Sequence, residues 1–217
     1  MSKDSTAIGP EHFAFVRERT LPEDRLLRDL RAAARTAGLP EIHIAPEQAA
    51  FLDVLLRAMQ ARTVVEVGTL GGYSAIAMAR ALGDGGRLVT LEIEPAHAAF
   101  AREWIARAGL QDRVEVRLGD ARATLAEIPD GSADAIFVDA DKTGYVDYLR
   151  HGVRILRPGG VLLADNALAG GDVIDPDSPN PTARAIRAFH DAVAATPVLR
   201  PILVPIGDGC LVAVKDR

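Results

Sequence analysis

The chain has 217 residues, 48% of them hydrophobic, with 25 basic against 30 acidic side chains and a net charge of −5. That is apolar material for one full core, read as a single α/β unit, and no Lys/Arg block is present to hold a nucleic-acid backbone, so no nucleic-acid partner is expected. No apolar run approaches a membrane span and the lone Cys210 forbids an intrachain disulfide, so we expect a cytoplasmic protein with no membrane partner.

Residues up to about Pro10 read as a loose tail. Two amphipathic helical patterns then fill residues 11–38, with Leu26, Leu27, Leu30, Ala33 and Ala34 on one face, and Gly38-Leu39-Pro40 ends them. This suits a helical cap or a dimer-packing layer and divides the chain into a tail and cap, 1–40, and a main unit, 41–217. Pro46 starts a further helix with Ala49, Ala50, Phe51, Leu55 and Met59 toward the core. Residues 42–48 adjoin the glycine-rich loop that follows, which makes Ile44 a candidate contact for the ligand of that loop.

In Val64-Val65-Glu66-Val67-Gly68-Thr69-Leu70-Gly71-Gly72-Tyr73-Ser74 a β-branched run ends in an acid, passes through glycines and opens an alanine-rich helix. Strand, tight turn and helix N-terminus form the unit that opens an α/β nucleotide-binding domain. The dinucleotide fingerprint would need glycine where Leu70 stands, and Glu66 would repel a pyrophosphate but favour a cationic ligand. S-adenosylmethionine, with a sulfonium and an ammonium and no phosphate, fits that description. A plain β-α turn with Glu66 as a solvated strand end is the alternative.

The next run, residues 87–92, is a strand ending in Glu92, 24 positions after Gly68 and near the ~20-residue interval of a ribose-binding acid. Pro95 begins a helix whose core stripe is Phe100, Trp104 and Ala108, with Trp104 read as packing. A third strand, 113–118, leads to Gly119-Asp120-Ala121 and a short helix ending near Ile128; Asp120 is either an acceptor for an adenine amino group or a helix N-cap. A strand at Ala135-Ile136-Phe137-Val138 runs into Asp139-Ala140-Asp141-Lys142, followed by a helix with Tyr145 and Tyr148. Residues 156–160 read as a turn into the strand 161–164, which ends in Asp165-Asn166. Adjacent strands would present Asp139, Asp165 and Asn166 from one edge, hard oxygen donors that suit Mg²⁺, Ca²⁺ or Mn²⁺ over Zn²⁺, although Asp-Asn pairs also cap helices. A Gly/Asp/Pro-rich loop, 167–181, a helix from about Thr182 to Ala195, and two β runs joined by Gly207-Asp208-Gly209 complete the chain; the hairpin makes the final strand antiparallel.

Five of these stretches, taken in order, resemble the cation-dependent O-methyltransferases of the catechol and caffeoyl-CoA type, in particular small bacterial members. They are Glu66-x-Gly68-x-x-x-Gly72-Tyr73-Ser74, Gly119-Asp120-Ala121, Phe137 to Lys142, Asp165-Asn166-Ala167-Leu168 and Pro205 to Gly209. The resemblance implies a Rossmann-like, seven-stranded, mostly parallel sheet with the last strand antiparallel, N-terminal helices and a homodimer. It implies that Glu66, Gly68, Gly72 and Ser74 hold the methionine part of S-adenosylmethionine, Glu92 the ribose, and Asp120 and Ala121 the adenine, with Asp141 also on the cofactor side. It further implies Asp139, Asp165 and Asn166 as divalent-cation ligands and Lys142 as base or electrostatic partner of the acceptor oxygen. Catalysis would then fall to Lys142 and Asp139, on a small acceptor with vicinal aromatic hydroxyls. Two departures stand out: Gly71 replaces a common threonine, and Ala169-Gly170-Gly171 stands where a bulky residue often faces the acceptor, which implies a wider pocket. A metal-independent methyltransferase of the same fold, a non-catalytic S-adenosylmethionine-binding protein and, more remotely, a nicotinamide dehydrogenase remain as alternatives at this point.

Overall fold

The computed structural model describes residues 9–216, so all but the end of the expected tail lies outside the described residues. Three helices come first: α1 (Pro10–Arg17), α2 (Arg25–Thr36) and α3 (Pro46–Ala58). Asp24 caps α2 by accepting from the Leu27 N–H at 2.9 Å, and Leu27, Leu30 and Ala34 bury the expected face. In α3 the buried stripe is turned from the expected one. Leu52 and Leu56 are buried, whereas Phe51, Leu55 and Met59 are only partly so. Gln48 heads this stripe at helical spacing, i, i+4 and i+8, because its amide is needed inside, against Asp165.

Seven strands form one sheet: β1 (Thr63–Val67), β2 (Arg87–Glu92), β3 (Val114–Leu118), β4 (Ala133–Val138), β5 (Leu156–Ala164), β6 (Leu199–Val204) and β7 (Cys210–Lys215). Between them lie α4 (Tyr73–Ala81), α5 (Pro95–Arg107), α6 (Ala121–Glu127), α7 (Tyr145–Ile155) and α8 (Pro181–Ala194). The strand order is β3-β2-β1-β4-β5-β7-β6, parallel from β3 to β5, with β7 antiparallel to both neighbours. The fold class is the expected one, a Rossmann-like, mostly parallel sheet with its last strand antiparallel.

Helices cover both faces of the sheet, which is why the central strands read as nearly continuous apolar runs. Val64 and Phe137 pack on the face shared with α2 to α5; Val65, Val67, Ile136 and Val138 pack on the face shared with α6 to α8. Trp104 is buried beside Phe100, and Cys210 lies inside β7 with its thiol pushed up to about 12 by burial. Two loop expectations are corrected. Residues 156–160 belong to β5, since Leu156 pairs with Ala133 before the register shifts, and Arg157 Nε donates to Asp134 at 2.6 Å to hold the bulge. The 167–181 segment contains a 3-10 turn, Ala169–Ile174. No helix of the described residues is long and apolar enough to cross a membrane.

Candidate active site

The chain leaves β1 toward β2 and β3 and returns to β4 on the other side of β1, so a crevice opens at the carboxyl ends of β1 and β4. Each strand end there is carried one residue further by a parallel hydrogen bond: Gly68 N–H to Leu91 O at 2.9 Å, Asp139 N–H to Val67 O at 2.8 Å, and Asp165 N–H to Val138 O at 3.0 Å. The sheet itself therefore aims Gly68 and Asp139 at the crevice and sets Asp165 beside them at the end of β5. A cavity of about 670 Å³ fills it, walled by the 68–70 loop, Ser74, Glu92, Asp120, Ala121, Asp139, Asp141, Lys142, Asn166 and Ile44.

Strand alternation turns Glu66 to the α4 side, where it is fully buried beneath the loop and absent from the cavity wall. The Ser74 hydroxyl donates to Oε1 at 2.5 Å, and Oε2 has no partner among the described residues. Burial, above all, pushes the Glu66 carboxyl up to about 8; the hydrogen bond from Ser74 and the nearby Thr90 hydroxyl oppose this, and the charges of Asp139 and Glu92 add to it. The folded protein thus holds a proton that the unfolded chain releases near pH 4.5. Stability from this group is fully present below about pH 4.5 and is lost as pH rises through about 8. Glu66→Gln is expected to flatten that loss by on the order of a few kcal/mol. Urea unfolding of the ligand-free protein at pH 5 and pH 8 checks this, and parallel pH profiles for the two proteins would count against it.

Glu92 organises the loop. Its Oε2 accepts from the Thr69 and Leu70 N–H groups at 3.2 and 2.7 Å, and its Oε1 from Ile93 and Glu94 at 2.9 Å each. These bonds hold Leu70 at φ +48, in the left-handed region usually left to glycine, at the position where the dinucleotide fingerprint would have one. Asp120 is both cap and wall: it accepts from Arg122 N–H at 2.8 Å to start α6, and it lines the cavity. Asp141 accepts from the Tyr148 hydroxyl at 2.5 Å and the Thr143 hydroxyl at 2.9 Å. Arg122 stands between Asp120, Asp141 and Asp147 at 3.9, 3.7 and 3.2 Å, balancing an otherwise acidic end. Gly72 is the N-cap of α4 and lies behind the wall, as Gly71 does; a side chain at Gly71 would come within 3.1 Å of the His43 ring.

At the other end, Lys142 Nζ lies 3.1 Å from Asp139 Oδ1, 2.9 Å from Ala140 O and 2.9 Å from the Tyr145 hydroxyl. Asp165 is buried, is absent from the wall of the first cavity, and accepts from Gln48 Nε2 at 2.6 Å. Its carboxyl is pushed up to about 6 by burial and then by the charge of Asp139. Asn166, in the left-handed region at φ +58, donates from Nδ2 to Asp208 Oδ2 at 3.3 Å. A second cavity, of about 720 Å³, shares Asn166, Asp208 and residues 42–44 with the first and reaches Asp165 and Gln48. Among the described residues no cluster of three His, Cys, Asp or Glu side chains forms a metal site.

Among the wall and support residues, the sequence assigns no role to Arg122 or His97, places His43 and Gln48 only within the 42–48 segment beside the glycine loop, and includes Asp208 only as part of a turn and of the Pro205 to Gly209 stretch. Arg122 had a signal, being the first residue past Gly119-Asp120-Ala121; Gln48 had none, because its partner is 117 positions away.

Residues 17–216 match the O-methyltransferase family. Catechol O-methyltransferase of Niastella koreensis is 41% identical over 200 residues, covering 88% of this chain and 90% of that protein. Catechol O-methyltransferase of Mycobacterium tuberculosis is 42% identical over 174 residues, covering 80% of this chain and 79% of that protein. The crystal structure of an O-methyltransferase from Bacillus cereus in complex with S-adenosylhomocysteine superimposes with a TM-score of 0.88 at 38% identity, covering 95% of this chain and 97% of that one. With its strand order, its glycine loop and this match over nearly its whole length, the chain belongs to the O-methyltransferase family.

Proposed function

We propose that the chain transfers the methyl group of S-adenosylmethionine to a hydroxyl of a small, catechol-like acceptor, with the help of a divalent cation, as a cytoplasmic homodimer. The observation that carries this reading is that one cavity joins the glycine loop to Asp139, Lys142 and Asn166. S-adenosylhomocysteine, bound by the Bacillus cereus relative, is what S-adenosylmethionine leaves after giving up its methyl group. The name catechol O-methyltransferase, carried by two relatives, supports a vicinal dihydroxy aromatic acceptor. In this reading Gly68, Ser74 and Ile44 contact the methionine part, with Glu66 and Gly72 shaping the loop from behind. Glu92 faces the ribose, and Asp120, Ala121 and Asp141 the adenine.

Asp139, Asp165 and Asn166 would hold the cation, Mg²⁺ before Ca²⁺ or Mn²⁺. The donor set fits: two carboxylates end neighbouring parallel strands in register, and no described residue donates to Asn166 Oδ1. When bound, such an ion lowers the pKa of a chelating acceptor hydroxyl. The acceptor oxygen then forms its bond to the methyl carbon as the carbon–sulfur bond breaks, and that electron pair leaves on sulfur. The hydroxyl proton goes to water, since Lys142 could accept it only as the neutral amine. All three N–H donors of Lys142 are engaged by Asp139, Ala140 and Tyr145, an arrangement that favours charge neutralisation of the oxyanion over proton removal. Holding oxygen, carbon and sulfur in line supplies up to about 7–11 kcal/mol. Gly170 lines the acceptor side, and a side chain there would meet nothing within 4 Å, which supports a roomy acceptor mouth. For the homodimer, support comes from Ile202 and Leu203, exposed on the edge strand β6.

The test is turnover of a catechol with S-adenosylmethionine before and after EDTA. Loss of at least 90% of the rate, restored by Mg²⁺, is expected; undiminished turnover in EDTA would leave the metal-independent methyltransferase. Light scattering at twice the chain mass checks the dimer.

A further inference from the structure

The Gly207-Asp208-Gly209 turn between β6 and β7 has no residue role assigned by the sequence, yet it is built into the proposed transfer site. Asp208 is engaged through every oxygen it has. Its carbonyl accepts from Leu168 N–H at 2.8 Å, its Oδ1 from Gly170 N–H at 2.8 Å, and its Oδ2 from Asn166 Nδ2 at 3.3 Å. The Gly209 carbonyl accepts from Ala167 N–H at 3.0 Å, so the whole 166–170 segment is laced to the turn. Gly207 lets the turn approach closely: at φ +57, a Cβ there would fall 2.2 Å from Gln48 Oε1. Gln48 is the residue whose amide holds Asp165, with its own Oε1 fixed by the Ala45 N–H at 3.0 Å.

A carboxylate only accepts hydrogen bonds, so whatever amide atom faces Asp208 must be the NH₂ group. The two ends of an Asn side chain are nearly equal in shape and opposite in function. Facing one end with a carboxylate decides which end is left for the site, and here Oδ1 is left without a described donor. We propose that Asp208 is a positioning residue: it sets the flip of the Asn166 amide so that oxygen is presented to a cation, and through Gly170 N–H it sets the acceptor-side loop at the same time. Gln48 plays the matching part for Asp165 from the N-terminus of α3. The proposal rests on the metal reading above, with Asn166 as a ligand.

Mn²⁺ binding, measured by calorimetry on the full chain with and without S-adenosylhomocysteine, tests it in Asp208→Asn and Asp208→Glu. Asn in place of Asp lets either end of the Asn166 amide pair; Glu keeps the charge and moves the carboxylate out by one methylene. Both variants are expected to bind Mn²⁺ about 10- to 100-fold more weakly, as metal sites do on losing a group that orients a ligand. S-adenosylhomocysteine affinity is expected to stay within twofold of the original. If the original chain binds Mn²⁺ and either folded variant binds it within twofold, the positioning role is overturned and the metal reading stands. A parallel fall of Mn²⁺ and S-adenosylhomocysteine affinity would mark a merely structural role and also overturn it. No Mn²⁺ binding by the original chain removes the metal reading, and this inference with it.

Discussion

Gly68→Ala is expected to abolish binding of S-adenosylmethionine and to lower the melting temperature by roughly 4–24 °C. A Cβ on residue 68 would lie 2.0 Å from the Asp139 carbonyl oxygen and 2.8 Å from its carbon, and both are backbone atoms that no rotamer change can move. The residue also sits at φ +95, where an L side chain is strained by about 1–3 kcal/mol before any contact is counted. Overpacking adds about 1–3 kcal/mol more, and in a chain of this size each kcal/mol corresponds to about 2–4 °C. Relief requires the loop to rise or the end of β4 to fall. The first moves the proposed methionine subsite, and the second moves Asp139, whose N–H donates to Val67 O. A thermal melt and a titration with S-adenosylhomocysteine read the two effects separately. An unchanged melt together with unchanged affinity would refute this close crossing of β1 and β4.

Asp139→Ala is expected to lower kcat/KM toward a catechol by about 10³-fold, the scale of losing a preorganised charge or metal ligand at the reacting oxygen. Under the proposed function the side chain serves two groups, a cation and the Lys142 ammonium, whose Nζ lies 3.1 Å from its Oδ1. With it gone, Lys142 keeps Ala140 O and the Tyr145 hydroxyl but loses its one charged partner. S-adenosylhomocysteine affinity should stay within about threefold of the original, because the hydrogen bonds that shape the glycine loop run to Glu92 and Leu91. Single-turnover kinetics beside the binding titration separates the two outcomes. Turnover within twofold of the original would end the metal proposal, and equal losses in both measurements would mean that Asp139 supports the loop more than the chemistry.

The sequence by itself determined most of the elements and which polar residues end them. Strands buried on both faces must be apolar throughout, so Ala135 to Val138 and 161–164 stood out, and the polar residues that follow them, Asp139 and Asp165, had to be strand ends. Helices with one wet face show their period, as Leu27, Leu30 and Ala34 do, and the glycines after Val67 marked the turn that opens the cavity. Local pattern reports which face of an element is dry, and no more. Which polar groups meet is a matter of strand register and helix docking, and only the tertiary structure decided it. Gln48 reaches Asp165 across 117 positions, and Asp208 reaches Asn166 across 42. Gln48 also turned the buried stripe of α3 away from Phe51 and Leu55, because a buried carboxylate without a donor costs more than two half-covered apolar side chains. Glu92 shows the same division: its place at the tip of β2 followed from spacing, whereas its hold on the Thr69 and Leu70 N–H groups arises because β1 and β2 lie side by side and end together.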